Sequence, residues 1–445
     1  MKTTPCFRSV PSTPKLATLG GSPAITAEPG DLFAWPIVTD EDIAAVTDVL
    51  RNRSMSGTEL TKAFEREWAA YNGTAYALGC CNGTAALLAA MWACGVGAGD
   101  EVICPGLTYW ASALPALQLG ATVNFADIDP DTLCIDPKDI EHRISPRTRC
   151  IVVVHYAGYP ADMDAIMTVA NRHGVKVIED NSHAHGSLYK GRMTGTLGHI
   201  AAMSMMSGKG FAIGEAGMIV TDDRALYERC IAFGHYERTG LASNYNPADA
   251  QVSDAGLRRF AGAPLGGCKH RMNQTCAAMG RVQLRHFPAR IREIQAAMGR
   301  FWDLLSDVPG IRPHRPSDST SSTGAWYVSL GLYSAGELGG LPCETFCEAV
   351  RAEGFPCRAG ANKPLYTHPV FHEADIFHQG KPTAIAFGQR DVRQQQGSLP
   401  VTDSIASIAF GAPWFKHDRP EAIRPYAEAF RKVAEQADAL KDKRT

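Results

Sequence analysis

Residues 150–180 read CIVVVHYAGYPADMDAIMTVANRHGVKVIED. Two short apolar runs, Cys150 to Val154 and Val175 to Glu179, flank a helix-like segment that Asp162 opens and Gly174 closes. A strand, a helix and a second strand whose side chains are apolar on both faces make the unit of a parallel sheet covered by helices. The same alternation continues outward. Upstream strands are expected at Tyr76 to Gly79, Glu101 to Cys104 and Thr122 to Ala126, with an alanine-rich helix from Thr84 to Cys94. Downstream strands are expected at Ala202 to Met205 and Met218 to Thr221. From about Trp35 to Arg285 the chain therefore reads as α/β, a doubly wound and mostly parallel sheet.

Past Pro288 the texture changes to a helix over Ala289 to Leu305, a Pro/Ser/Thr-rich loop over Pro313 to Thr323, a strand over Trp326 to Leu332 and a final amphipathic helix over Pro420 to Leu440. The expected division is an N-terminal arm over 1–34, a large domain over 35–285 and a small C-terminal domain over 286–445. The first thirty residues, rich in Pro, Thr, Ser and Gly, read as a mobile arm without a signal-peptide apolar run.

Composition limits the function. Of the 445 residues 45% are hydrophobic and 20% charged, as in soluble globular enzymes. A net charge of -2 supplies no field to gather nucleic acid or an anionic membrane surface. No apolar stretch is long enough to span a bilayer. The 13 cysteines form no paired CxxC clusters, so reduced thiols in a cytoplasmic protein are expected, and no metal site.

In an open parallel sheet ligands bind beyond the carboxyl ends of the strands, and four such ends carry chemistry here. Cys81-Asn82-Gly83-Thr84-Ala85-Ala86 is a strand-turn-helix junction whose backbone NH groups suit a phosphate, although an Asn-Gly turn before any helix looks similar. Val175 to Asp180 ends in two carboxylates, Glu179 and Asp180, expected to face the crevice. An acid there suits a protonated ring nitrogen, or merely caps the next turn. Ser204 to Gly210 holds Lys209 between glycines, placed to form an imine with an aldehyde or to sit on a surface loop. Thr108-Tyr109-Trp110-Ala111 offers an aromatic pair for stacking on a flat ring, or for the core.

The order of these stretches resembles the DegT/DnrJ family of pyridoxal-phosphate-dependent sugar aminotransferases. The matching residues are Asn82 to Leu87, Ala126-Asp127-Ile128-Asp129, His155 with Gly158 and Pro160 to Asp164, Ile178-Glu179-Asp180 with His183 to Gly186, Ser204 to Lys209, and Gly214-Glu215. The resemblance implies the fold-type I architecture of aspartate aminotransferase, with a large sheet domain and a smaller C-terminal α/β domain. It implies pyridoxal 5'-phosphate bonded to Lys209, which also shuttles the proton. Asp180 pairs with the ring nitrogen, His183 sits by the phenolic oxygen and Tyr109 stacks on the ring. Thr84, Ala85 and Ser204 meet the phosphate, the first two mainly through backbone NH groups, and Gly83 is a further cofactor-binding residue. The implied reaction moves an amino group from glutamine or glutamate to a keto-sugar or inosose, in a homodimer with shared active sites.

Two departures from the family pattern stand out. Lys269, in Gly267 to Met272, stands where the family's partner-subunit phosphate contact is usually Asn, and Met206-Ser207-Gly208 replaces a His or Gln followed by Pro. Ser54 to Thr58 matches a segment lining the substrate cleft, or is a plain turn. His235, Tyr236 and Arg238 contact substrate hydroxyls, or belong to an ordinary helix-to-loop junction. The rival activities are a pyridoxal-phosphate dehydratase or lyase, against which Lys209 speaks because dehydrating relatives carry His there, and a regulator that binds the cofactor without turnover. A dinucleotide-dependent dehydrogenase lacks its GxGxxG after the first strand.

Overall fold

The computed structural model describes residues 14–240 and 250–441. All seven strands expected between Trp35 and Arg285 are present: β1 (Tyr76–Cys80), β2 (Glu101–Pro105), β3 (Thr122–Ala126), β4 (Thr148–Val154), β5 (Lys176–Asp180), β8 (Ile200–Ser204) and β9 (Gly217–Thr221). Between β5 and β8 a hairpin of β6 (Leu188–Tyr189) and β7 (Arg192–Met193) stands apart from the main sheet. The sheet order is β1-β9-β8-β5-β4-β2-β3, and only β9 runs against its neighbours. Apolar residues fill both faces of β4 and β5, as strands sandwiched between helices require. The helix Met163–His173 begins where the Asp162 carboxylate accepts from the Ala165 NH, and ends at Gly174, whose φ of 66° suits glycine.

A second sheet, β10 (Ile311–Pro313), β11 (Leu330–Tyr333) and β12 (Ala409–Gly411), is antiparallel. It packs with the helices Cys343–Ala352 and Pro420–Glu435 around Phe346, Phe410 and Phe430. The expected strand at Trp326 begins only at Leu330. Trp326 and Val328 hold left-handed φ values of 57° and 54°, which break a strand and turn Tyr327 toward the large domain.

The boundary expected at residue 286 falls inside one continuous helix, Gln274–Asp303, which accommodates Pro288. Its first half packs Ala277, Leu284 and Phe287 against Phe64 and Phe211 of the large domain. Its second half packs Ile294, Met298, Phe301 and Trp302 into the small-domain core. One element thus belongs to both cores, and its proline does not end it. The arm is also docked from residue 14 onward, while residues 1–13 of that reading lie outside the described residues. Leu16 and Leu32 are buried in the small-domain core, and the fully buried Glu353 accepts from the NH groups of Ala17 (2.8 Å) and Ala24 (2.9 Å) and pairs with Lys432 (2.8 Å). A buried carboxylate needs those donors, which is why the arm cannot stay loose there.

The C-terminal segment is stitched onto the strand ends. Asp127, one residue past β3, accepts from Val401 NH (2.9 Å) and from Thr402 NH and hydroxyl (2.8 and 2.7 Å). Glu101 at the start of β2 takes a two-bonded ion pair from Arg390 at 2.7 and 2.6 Å.

Arg238 is buried and bonds both oxygens of Glu65 at 2.7 and 2.9 Å, while Glu65 also accepts from Gly79 NH at 2.6 Å. Removing one partner leaves a buried charge uncompensated. Arg238→Met is therefore expected to lose about 3–5 kcal/mol of stability, read as a lower urea midpoint; an unchanged midpoint contradicts this packing.

Candidate active site

Because β9 alone is reversed, β1, β2, β5 and β8 all end at one edge of the sheet. Their following residues close a cavity of about 560 Å³, lined among others by Gly83, Thr84, Tyr109, Asp180, His183, Ser204 and Lys209. Tyr327, Val328 and Asn362 close it from the C-terminal part of the chain.

Alternation along β5 separates the two carboxylates that the sequence placed together. Asp180 faces the cavity. The Ser112 hydroxyl donates to its Oδ2 at 2.6 Å, the Ser182 NH donates to its Oδ1 at 3.1 Å, and Thr108 and Ser112 share a hydroxyl bond of 2.7 Å. Glu179 points the other way and does not face the crevice. It meets His155 Nε2 at 2.8 Å and accepts from the NH groups of Gly195, Leu197 and Gly198. Burial raises its pKa, but His155 and those amides outweigh burial and hold the carboxyl below the usual range. It is a structural anion that ties β5 to the following loop.

Lys209 is buried, with Nζ 4.3 Å from the centroid of the Tyr327 ring. Loss of water lowers its pKa to about 8 against the opposing pull of Asp180. The Trp35 indole NH donates to the Lys209 carbonyl at 2.8 Å and fixes the backbone of the loop. His183 lies between the rings of Tyr156 (5.5 Å) and Tyr327 (4.8 Å). Burial, and then the charge of Lys209, lower its pKa well below the usual value, so the ring is neutral. Its Nδ1 accepts from Ala157 NH at 3.3 Å, which leaves Nε2 as the donor.

At the end of β1, Asn82 caps the helix Gly83–Ala93 by accepting from Ala85 NH at 2.8 Å. That bond is a correction to the phosphate reading. The Ala85 amide is already used and Ala85 does not line the cavity, so Gly83 and Thr84 alone carry first-turn NH groups there. Gly83 packs so closely that a Cβ would lie 2.6 Å from Ser204 Cβ, and only glycine fits. Ser204 donates its NH to Ser182 Oγ at 2.9 Å. Tyr109 stands half-exposed beside Trp110, ring centroids 5.0 Å apart.

Other expected residues lie elsewhere. Lys269 is exposed, 6.0 Å from the Tyr236 ring centroid, and does not line this cavity within its own chain. Neither do Ser54 to Thr58. His235 and Arg238 are buried, His235 Nε2 bonding the Gly79 carbonyl at 3.0 Å and Arg238 bonding Glu65, and neither they nor Tyr236 line this cavity. Ser112, Ser182, Tyr327 and Asn362 also line the cavity, and none of the four belongs to the site residues expected from the sequence. Only Ser182, a hydroxyl two residues past Asp180, carried a local signal. Among the described residues no cluster of His, Cys, Asp or Glu side chains is placed to hold a metal ion, and no helix is long and apolar enough to cross a membrane.

Residues 36–408 match the model of the DegT/DnrJ/EryC1/StrS aminotransferase family. The chain is 34% identical over 442 residues to the L-glutamine:2-deoxy-scyllo-inosose aminotransferase of Streptomyces kanamyceticus, covering 96% of this chain and 98% of that one. It is 35% identical over 376 residues to the spore coat polysaccharide biosynthesis protein SpsC of Bacillus subtilis (strain 168), covering 84% and 92%. Among solved structures, an aminotransferase from Psychrobacter cryohalolentis superposes with a TM-score of 0.77 at 28% identity, over 92% of this chain and 100% of that one. DesI, solved in the presence of its TDP-sugar product, gives 0.75 at 26% identity over 96% and 98%.

The depressed lysine makes a pH signature. Lys209 has a folded pKa of about 8 against an ordinary 10.5, so between those values the unfolded chain binds more protons and stability rises with pH. Below about 8 both states are protonated and the burial cost is paid in full. In protein freed of bound small molecules, wild type should gain about 2–3 kcal/mol over Lys209→Met between pH 7.5 and 10.5. Parallel urea-midpoint profiles for the two proteins would contradict this.

Proposed function

The chain belongs to the DegT/DnrJ/EryC1/StrS aminotransferase family, and from that premise we propose that it moves an amino group from glutamine or glutamate to a keto-cyclitol or keto-sugar, using pyridoxal 5'-phosphate held on Lys209. The observation that carries this reading is one cavity lined by a buried amine of lowered pKa and a buried carboxylate clamped by two donors. When bound, the cofactor supplies a ring that accepts the electrons released as the carbon–hydrogen bond of the donor breaks.

The residues fit that group. Lys209 is readily neutral, as a nucleophile toward the aldehyde carbon must be, and its Nζ is the base that takes the proton and later returns it. Asp180, its oxygens fixed by Ser112 and Ser182, holds the proton on the ring nitrogen. His183, with Nδ1 occupied by the Ala157 NH, would offer its Nε2 proton to the phenolic oxygen. Gly83 and Thr84 NH groups, the helix N-terminus behind them and the Ser204 hydroxyl take the phosphate. Tyr109 covers the ring. Lys269 does not line the cavity of its own chain, so its contact to the phosphate would have to come from a second copy, and a homodimer with shared sites is part of the proposal. The free thiols among the described cysteines support a cytoplasmic setting.

For the acceptor, the name of the Streptomyces kanamyceticus relative favours glutamine and 2-deoxy-scyllo-inosose. The similarity to DesI, solved with its TDP-sugar product, keeps a nucleotide-linked keto-sugar as the second reading. The test is an amino-transfer screen of glutamine, glutamate and alanine against keto-cyclitols and nucleotide keto-sugars. Transfer from glutamine or glutamate to a keto-cyclitol or keto-sugar is expected, lost by at least about a thousandfold in Lys209→Ala. A yellow protein that transfers no amino group to any acceptor would favour the non-catalytic regulator.

A further inference from the structure

Asn362 comes from the segment between the helix Cys343–Ala352 and β12, and lines the cofactor cavity. It also lines a second cavity of about 430 Å³ that shares Thr108, Tyr109 and Trp110 with the first. The segment is pinned on both sides of it. Gly360 NH donates to the Ala409 carbonyl at 2.7 Å, and Leu365 NH donates to the Gly106 carbonyl at 2.8 Å.

Its side chain is held by one partner. The Tyr156 hydroxyl donates to Asn362 Oδ1 at 2.6 Å and accepts from the Asn362 NH at 3.2 Å. Tyr156 is fully buried, and burial pushes its phenol up so that the proton stays in place. With Oδ1 committed to that donor, the two hydrogens of Nδ2 are directed away from Tyr156, and among the described residues Nδ2 donates to no protein group. The Asn362 side chain is only half-buried and lines both cavities, which leaves room there for a partner to its NH2. Tyr156 in turn packs its ring at a tilt against His183, which ties this donor to the centre of the site.

The geometry points to Asn362 as a specificity-determining residue whose NH2 binds a hydroxyl or carbonyl oxygen of a neutral polyol acceptor at the wall shared by the two cavities. This rests on reading the cavity as an aminotransferase site. A neutral amide with a fixed orientation suits a neutral polyol. The amino-acid carboxylate is the other oxygen source, and a charged ligand gains more from a cation than from an amide. A site built to bond a hydroxyl discriminates strongly, because the donor is left unpaired when the hydroxyl is missing.

The experiment separates the two halves of the reaction in the holoenzyme. The donor half is followed with L-glutamine alone as the change in the cofactor's visible absorbance, and the acceptor half as KM for 2-deoxy-scyllo-inosose or a TDP-linked keto-sugar. Asn362→Leu should raise the acceptor KM about tenfold while the glutamine half-reaction stays within about twofold. Tyr156→Phe, which frees the amide to rotate, should give the same split at about threefold, and serves if Asn362→Leu does not fold. An unchanged acceptor KM overturns the assignment. So does a glutamine half-reaction that slows in parallel, which would hand Asn362 to the donor carboxylate or the cofactor, and so does a wild type that completes that half-reaction yet takes neither acceptor. A wild type without any glutamine half-reaction would instead sink the transfer reading underneath.

Discussion

The site depends on a carboxylate and an amine that share a cavity without being spent on each other. Asp180 has each oxygen engaged by a donor, Ser112 on one and Ser182 on the other, while Lys209 Nζ lies over the face of Tyr327. Burial then keeps the amine easily deprotonated. Had the two met directly, the pair would have been a buried ion pair, with a lysine held charged and useless as a nucleophile. Ser112 and Ser182 occupy the carboxylate and Tyr327 lies under the amine, so each group has partners other than the other.

The fold supplies this arrangement through strand direction. A single reversed strand, β9, lets four other strands release their ends along one edge, so residues far apart in sequence converge. Strand alternation then decides which of two adjacent acids is chemical. Glu179 is drawn to the far face by His155 and three amides, and Asp180 is left for the cavity. The C-terminal part contributes by interrupting its own strand, since the left-handed residues Trp326 and Val328 aim Tyr327 inward. Asp127 and Glu101 fasten the same part of the chain to the sheet, which keeps Tyr327 and Asn362 in register with Lys209.

Much of this was legible in the residues. Buried parallel strands announce themselves as unbroken apolar runs, and the polar groups that follow them fall where ligands bind, so Asp180, His183, Ser204 and Lys209 were located from sequence and meet in one cavity. The rest was not, for definite reasons. The side-chain cap by Asn82 competes for the amide of Ala85, and no spacing rule shows which hydrogen bond wins. The helix through residue 286 keeps Pro288 because both ends are packed into cores. The arm looked mobile by composition, but two leucines and one buried glutamate anchor it from residue 14. Tyr327 and Asn362 sit in irregular segments, where neither periodicity nor a motif marks a side chain's direction.

One other amine competes for the central role. Lys416 is buried beneath the Trp414 ring, and burial lowers its pKa to about 6, yet it does not line the cavity of Asp180. Reactivity alone would favour it; position favours Lys209. Borohydride reduction of the protein loaded with pyridoxal 5'-phosphate, followed by mass-spectrometric peptide mapping, distinguishes them directly. The account predicts a stoichiometric reduced adduct on Lys209 and none on Lys416. An adduct on Lys416, or one spread over surface lysines with Lys209 unmodified, would contradict it.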